Sequence, residues 1–395
     1  MAHYVARHAD AERGTSDEKK WRTMSIVPLT SGPNLRIRAD LAVHGARMTA
    51  PVTRRSGAGP SDDGHVSIAG SGATIPLNPL SDFVIDGGTV LLDGVDTGID
   101  VHPVARPKFY DLTTADGVSY EKIARLHGTN VLATTVIQKC IRYSQSQRCR
   151  FCTIEESLYA GDTVAVKSPQ QIAEVAAAAV ALDGIEQMVM TTGTTNGTDR
   201  GATHLANCVR AVAAAVPGLP IQVQCEPPGD IGVIEKLKAA GATAIGIHVE
   251  SMNDDVRRAW MPGKSSVSLD DYRAAWTEAV RVFGHNRVST YLLIGLGDSA
   301  DEIVSAADEL INLGVYPFVV PFRPLADSLA AGDGAGPPTS DLVAEVTDRV
   351  ATLLRRAAMF GADQQAGCAA CGACSLLPAA GAGDGRLHAD GSAVR

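Results

Sequence analysis

Residues 129–152 read TNVLATTVIQKCIRYSQSQRCRFC, an apolar run that leads directly into three cysteines. The apolar run is typical of a buried strand. Cys140, Cys149 and Cys152 follow it, separated by eight and by two residues. In a barrel of parallel strands, the loops after the strands carry the active site. The stretch therefore predicts a strand that presents three thiols at the functional edge of a sheet.

The alternation of apolar strands and helical segments continues to about residue 360. Helix start signals support it, since Ser168 precedes Pro169 and Gln171, and Ser299 precedes Glu302. Six βα units without a GxGxxG turn after the first strand favour an α/β fold with a partial barrel over a doubly wound sheet. The further strands are expected at 185–192, 221–227, 243–250, 287–296 and 315–322.

Composition and charge narrow the class of protein. The chain has 395 residues, 45% of them hydrophobic, with 39 glycines and a net charge of −9. Such a composition suits helices packed on strands, and the absence of a basic patch argues against nucleic acid as a partner. No apolar run suits a signal peptide or a membrane span. We therefore predict a cytoplasmic α/β protein with no membrane partner.

The chain divides into four predicted parts. Residues 1–23 are expected to form a disordered leader, and residues 24–124 a small β-rich domain containing NLRIRADLAV and DFVIDGGTVLLDGV. Residues 125–360 are the predicted barrel. Residues 361–395 form a Gly- and Ala-rich tail with a second group of cysteines.

The first cysteine triplet predicts a metal centre. In a reducing compartment, clustered cysteines more often bind metal or act in redox chemistry than form disulfides. A structural zinc site needs four ligands, and neither His127 nor His204 has finger-like spacing from this loop. Three thiolates around a four-iron four-sulfur cluster would leave one iron open for another ligand. The isolated Cys208 and Cys225 are interpreted as small buried residues.

The triplet after the first strand, with Phe151 directly before the third cysteine, resembles the radical S-adenosylmethionine (SAM) superfamily. The resemblance implies that SAM chelates the open iron and is cleaved to a 5′-deoxyadenosyl radical, which abstracts hydrogen from a small-molecule substrate. An electron donor such as flavodoxin or ferredoxin is implied as a partner. The first spacing departs from the commonest pattern of three residues. Arg142 and Arg148 in this insert either approach the cluster or lie on the surface.

Further site residues follow from the same resemblance. Residues 191–197, TTGTTNG, replace the usual Gly-Gly-Glu turn and lack its glutamate. Gln222, Gln224 and Glu226 share one face of a strand by the two-residue period, which is expected to point into the barrel. Residues 247–284 and 291–314 resemble biotin synthase and lipoyl synthase. The residues assigned to SAM binding are Phe151, Thr192, Gly193, Thr194, Glu226, Arg257, Gly295 and Gly297.

Three residues are predicted to face the substrate. Glu226 and Glu250 are expected in the cavity, and Arg323 after the sixth strand either reaches the substrate or forms a surface salt bridge. The GAGPSDDG stretch, together with the barrel, resembles a radical SAM subgroup named after a mycobacterial prototype and commonly encoded beside a nitrilase and an acetyltransferase. That resemblance implies a nitrile- or nitrogen-linked pathway. Sulfur insertion, rearrangement and dehydrogenation all fit the scaffold.

The second triplet, Cys368, Cys371 and Cys374, has two consecutive CxxC spacings. This spacing is typical of iron–sulfur ligation and predicts an auxiliary cluster. A zinc site completed by His388 or another residue, and a flexible tail with resolving thiols, are the alternatives. For the whole chain, the alternative to an enzyme is a non-catalytic iron–sulfur or zinc scaffold in a multi-enzyme assembly.

Overall fold

The computed structural model describes residues 34–49, 65–68, 74–102 and 104–382. The expected leader, the GAGPSDDG stretch and His388 lie outside the described residues. Within the described residues, no helix is both long and apolar enough to span a bilayer.

The N-terminal part combines one helix with a small sheet. The run NLRIRADLAV forms helix α1 (Asn34–His44), so its interpretation as part of a β-rich pattern is wrong. Leu35, Ala39 and Ala42 are four and three residues apart, and all three are buried, which is helical spacing. The run DFVIDGGTVLLDGV forms an antiparallel pair of strands, β4 with β5. The strands of this part are β1 (Arg47–Met48), β2 (His65–Ile68), β3 (Thr74–Pro76), β4 (Phe83–Asp86), β5 (Thr89–Leu92) and β6 (Val95–His102).

A second sheet contains the six predicted parallel strands in chain order. An additional strand, β7, precedes them and pairs antiparallel with β8. The remaining neighbours are all parallel. The sheet runs in order from β13 to β7, and these two strands are its opposite edges, so the barrel is partial as predicted. Its strands are β7 (Arg125–His127), β8 (Val131–Thr135), β9 (Gln187–Thr191), β10 (Ile221–Gln224), β11 (Ala244–Gly246), β12 (Val288–Ile294) and β13 (Val315–Pro321).

Helices cover the outside of this sheet and begin at the predicted signals. The Ser168/Gln171 and Ser299/Glu302 capping boxes are both formed, and Gly314 follows its helix with a φ of 83°. The helices after α1 are α2 (Tyr120–Ile123), α3 (Glu156–Tyr159), α4 (Pro169–Asp183), α5 (Ala202–Ala215), α6 (Val233–Ala239), α7 (Asp254–Trp260), α8 (Leu269–Phe283), α9 (Ala300–Asn312), α10 (Leu329–Gly332), α11 (Ser340–Arg356) and α12 (Cys368–Cys371).

The described part of the tail, residues 361–382, packs inside the partial barrel. The Gly367 amide donates to Gln187 Oε1 of β9 at 2.8 Å, and the Cys368 amide donates to Gln222 Oε1 of β10 at 3.3 Å. Ser375 Oγ donates to the carbonyl of Val319 in β13 at 2.6 Å. One short segment therefore reaches both halves of the sheet, which requires the sheet to curl around it. The interpretation of these residues as a flexible tail is wrong.

Candidate active site

A cavity lies at the carboxyl ends of the parallel strands, and the first cysteine triplet lines it. The loops after β8, β9, β10 and β11 each contribute side chains, as expected for a barrel of this kind. The residues lining it are Cys140, Arg142, Tyr143, Arg148, Cys149, Phe151, Cys152, Ile154, Thr191, Thr192, Gly193, Thr194, Gln224, Cys225, Glu226, His248, Glu250 and Lys264.

Backbone hydrogen bonds attach the cysteine loop to the turn after β9. The Gly193 amide donates to the carbonyl of Ile137 at 2.8 Å, and the Ile141 amide donates to the carbonyl of Thr194 at 2.9 Å. A Cβ at Gly193 would lie 2.1 Å from the carbonyl oxygen of Lys139, so only glycine permits this approach. The segment 191–197 thus positions the loop that carries Cys140.

The three thiols of the loop are half-buried. Burial raises the pKa of Cys152 to about 11 and also raises the pKa of Cys149. Ligation by iron requires the thiolate, so cluster binding must displace these protons. Within the described residues, no three His, Cys, Asp or Glu side chains are arranged to hold a single metal ion. An iron–sulfur cluster does not need such convergence, because each iron of a four-iron cluster takes one protein thiolate.

Arg142 and Glu226 form a buried ion pair at the cavity wall. Arg142 donates to both carboxylate oxygens of Glu226, at 2.6 and 3.0 Å, and the two side chains are 11% and 4% exposed. Thr194 Oγ1 donates to the same carboxylate at 3.1 Å. Arg148 is also 11% exposed and pairs with Glu156. The interpretation of Arg142 and Arg148 as surface residues is wrong.

A second ion pair joins Glu250 to Lys264, a residue that the sequence did not single out. Lys264 Nζ donates to Glu250 Oε2 at 2.5 Å, and both side chains are largely buried. Burial acts to lower the pKa of Lys264, but Glu250, Tyr272 and Cys149 together outweigh burial, and the pKa is raised. Glu250 has a φ of 66°, a strained conformation for a residue with a side chain. The pair places an ammonium group beside the cysteine cavity.

His248 lies on the floor of the cavity, with both ring nitrogens buried and without a hydrogen-bond partner among the described residues. Its ring stacks on that of Tyr291, with centroids 4.0 Å apart. Burial lowers the pKa of His248 to about 3, so the ring is neutral at pH 7. A Cβ at Gly246 would lie 2.7 Å from the imidazole, so glycine leaves room for it. A neutral imidazole with two unused nitrogens can accept from or donate to a bound ligand.

Tyr291 connects this floor to the second triplet. Its hydroxyl donates to Cys368 Sγ at 2.7 Å, and Gln224 Nε2 donates to the same sulfur at 3.2 Å. Gln222 and Gln224 therefore point into the barrel, as predicted, and contact the tail. The strand period could have indicated Tyr291 as inward-facing, but its partner comes from a segment 77 residues away.

Arg323 lies on the side of the second triplet. Its guanidinium donates to the carbonyl of Thr74 at 3.5 Å, and its Nε is buried without a partner among the described residues. Burial lowers the pKa of Arg323, while Cys374 acts to raise it. Among the described carboxylates, none pairs with it, so the interpretation as a surface salt bridge is wrong. Its substrate contact stays a prediction.

Three residues assigned to SAM binding lie outside the cavity lining. Arg257 is 1% exposed, pairs with Asp254 and donates to the carbonyl of Val267. Gly295 and Gly297 have φ values of 104° and 129°, and a Cβ at Gly295 would lie 2.8 Å from Pro338. Packing and turn geometry explain these three residues, and their cofactor contacts stay predictions.

A larger cavity of about 760 Å³ adjoins the first one. The two share Phe151, Cys152, Ile154 and Thr191 in their walls. Its volume lies within the range of small-molecule sites, roughly 300–1,000 Å³. Lys167 lines it and is only 2% exposed, and burial lowers the pKa of this lysine to about 7.

The fold is a partial (βα)₆ barrel. The loop with Cys140, Cys149 and Cys152 lies at the carboxyl ends of its parallel strands. Residues 146–310 match the family model described as the Radical SAM superfamily, which is less than half of the chain and includes Cys149 and Cys152. This segment is therefore similar to the Radical SAM superfamily. Members of that superfamily use a four-iron four-sulfur cluster and SAM.

The curated relatives match only parts of the chain. The bacteriochlorophyllide c C-7(1)-hydroxylase of Chlorobaculum limnaeum is 31% identical over 34% of this chain and 33% of its own length. The lipoyl synthase of Thermus thermophilus is 26% identical over 43% of this chain and 51% of its own length. The solved structure of the FeFe-hydrogenase maturase HydG from Carboxydothermus hydrogenoformans is 19% identical, with a TM-score of 0.44, and covers 58% of this chain and 52% of that one. The chain thus spans a third to about half of these proteins.

Proposed function

We propose that this protein is a radical SAM enzyme in which Cys140, Cys149 and Cys152 hold the SAM-cleaving cluster. The observation that carries the proposal is the placement of all three thiols in one cavity at the carboxyl ends of the strands. When bound, the cluster and SAM supply a 5′-deoxyadenosyl radical that abstracts hydrogen from a small-molecule substrate. The chain itself supplies position, charge and shielding.

The residues of the cavity fit an anionic cluster with a zwitterionic ligand. Lys264 and Arg142 are partly neutralised by their glutamates and still place cationic groups near the thiols. Thr192, Gly193 and Thr194 are proposed to hold the methionine moiety, and Glu226 the ribose. His248 has the unused nitrogens that a polar ligand needs, since a buried unpaired polar atom is otherwise unfavourable.

The larger cavity is the proposed substrate site, because it shares a wall with the cluster cavity. Cys368, Cys371 and Cys374 are proposed to hold an auxiliary iron–sulfur centre inside the barrel. A reductant such as flavodoxin or ferredoxin would supply the electron. The nitrile- or nitrogen-linked pathway is supported by the sequence resemblance alone.

Cleavage of SAM tests the proposal directly. Anaerobically reconstituted protein, incubated with SAM and dithionite, is expected to release 5′-deoxyadenosine and methionine, measured by liquid chromatography. Cys152→Ala is expected to reduce the yield to background, whereas Cys208→Ala, on the outer helix α5, is expected to leave it unchanged. Cluster-loaded wild-type protein that neither binds nor cleaves SAM would overturn the assignment.

A further inference from the structure

His127 lies against the second triplet, although it is 247 residues from Cys374 in the chain. It is the last residue of β7, at the edge of the sheet. Its Nε2 is 3.7 Å from Cys374 Sγ, and its ring also contacts Cys371. Gly128 follows with a φ of 63°, and a Cβ there would be 3.3 Å from Cys371 Sγ. The chain therefore brings one imidazole and the thiols of the tail together inside the barrel.

The spacing of these groups suits two ligands on one metal atom. With metal–sulfur and metal–nitrogen bonds of about 2.3 and 2.0–2.1 Å, two ligands of a tetrahedral centre are roughly 3.6 Å apart. The distance from Nε2 to Cys374 Sγ is 3.7 Å. Ligands on different irons of a larger cluster are farther apart. A two-iron cluster takes two protein ligands on each iron, which a group of three cysteines and one histidine supplies.

The arrangement of two protein ligands on each of two irons also agrees with the positions of the other candidate ligands. No three candidate ligands among the described residues are arranged for a single ion, which disfavours a mononuclear zinc site. A two-iron centre requires only pairs. We propose that Cys368, Cys371, Cys374 and His127 hold a two-iron two-sulfur cluster. This inference rests on the proposed auxiliary centre and names its nuclearity and its fourth ligand.

The other polar neighbours are placed as donors to the thiolates. Tyr291 directs its hydroxyl at Cys368 Sγ, and Gln224 directs its amide at the same atom. Arg323 is permanently cationic and lies on the Cys374 side. These groups compensate the negative charge of a thiolate-bound cluster, while the imidazole is the neighbour with a nitrogen lone pair to donate to iron.

The test uses the full chain with Cys140, Cys149 and Cys152 replaced by serine, so that only the second centre can assemble. After anaerobic reconstitution, iron and sulfide are counted, and the dithionite-reduced protein is measured by EPR and by pulsed EPR for nitrogen hyperfine coupling. About two irons and two sulfides per chain are expected, with the strong ¹⁴N coupling of a ligating imidazole. His127→Cys, which keeps four ligands, is expected to retain the irons and lose this coupling.

His204→Cys is the matched control. The Nε2 of His204 lies 3.6 Å from Cys208 Sγ, a similar contact made within one helix and away from the tail. This variant is expected to keep both the irons and the coupling. Two irons without strong ¹⁴N coupling would overturn the ligation by His127 and leave the auxiliary centre standing. About four irons would overturn the two-iron assignment, and no bound iron would overturn the auxiliary centre itself.

Discussion

The chain has two segments with three cysteines each, and the surroundings of the two differ. The first lies on a loop at the edge of a cavity, beside two ion pairs. The second lies within the curled sheet and is contacted by β7, β10 and β12. The first adjoins a cavity with space for an external ligand, whereas the second is surrounded by side chains of the chain itself. Three cysteines are therefore compatible with an open site at the first triplet, where SAM is proposed to bind and be cleaved. They are equally compatible with a closed centre at the second triplet.

The stacked rings of His248 and Tyr291 lie between the two triplets. His248 faces the first, Tyr291 the second, and their rings are stacked. Gln224 lines the cavity and also donates to Cys368. A substitution at one triplet is thus expected to affect the other triplet as well, but less strongly than the triplet at which it is made.

Removing each triplet gives the largest expected effect. Replacing Cys140, Cys149 and Cys152 by alanine is expected to abolish SAM cleavage, because the cluster that binds SAM is lost. Replacing Cys368, Cys371 and Cys374 is expected to remove the second centre's irons and leave SAM cleavage measurable. Iron analysis and 5′-deoxyadenosine yield check both. If the second variant is folded and loses all SAM cleavage, the proposed division of roles is wrong.

The Arg142–Glu226 pair tests the first site further. Arg142→Ala leaves a buried carboxylate without its main partner and is expected to weaken SAM binding roughly 10–100-fold, as for residues that support a metal site. Calorimetry on the cluster-loaded protein measures it.

Arg281→Ala serves as the control, since this exposed arginine also pairs with glutamates and is expected to change nothing measurable. In the Glu226→Gln background, Arg142→Ala should lower the free energy of unfolding by less than it does in the wild-type protein. If Arg142→Ala binds SAM with unchanged affinity, the Arg142–Glu226 pair does not contribute to SAM binding and has only a structural role.

Two glycines hold the cysteine segments and allow a matched comparison. A Cβ at Gly193 would lie 2.1 Å from the backbone of Lys139, and one at Gly367 would lie 2.1 Å from the Gln222 side chain. Each alanine variant is expected to lower the free energy of unfolding by about 1–3 kcal/mol. Gly193→Ala should reduce iron at the first site and Gly367→Ala at the second.

Denaturant unfolding under anaerobic conditions measures the stability of these variants. Gly336→Ala is the control, because a Cβ at this position would meet no atom within 4 Å and the φ of Gly336 is not positive. Equal iron loss at both sites from either variant would mean that the two segments do not fold independently around their clusters.

Tyr291→Phe gives the smallest expected effect. It removes the hydrogen bond to Cys368 Sγ and is expected to lower the reduction potential of the second centre without loss of iron, because donors to sulfur stabilise the more negative reduced state. An EPR-monitored redox titration measures it. Tyr272→Phe removes a buried hydroxyl without a partner among the described residues and is the control. Loss of iron in Tyr291→Phe would mean that the tyrosine is required for cluster assembly.

Much of the barrel could be predicted because its signals are local. The capping boxes at Ser168 and Ser299 involve residues three apart, and the apolar residues of each strand lie close together in sequence. Helix α1 was missed because it begins with alternating apolar and basic residues, LRIR at 35–38, which is also the period of a strand. Lys264 was missed because nothing near it in sequence indicates Glu250 as a partner, 14 residues away on the other side of helix α7.

The sequence by itself determined the order of the six parallel strands, the loop that carries Cys140, Cys149 and Cys152, and the inward face of Gln222 and Gln224. These follow from periodicity and spacing along the chain. Only the tertiary structure decided that residues 361–382 fold into the barrel and that His127 and Tyr291 contact the cysteines of this segment. Such contacts join residues 77 to 247 positions apart, and they depend on how far the sheet curls, which no local pattern encodes.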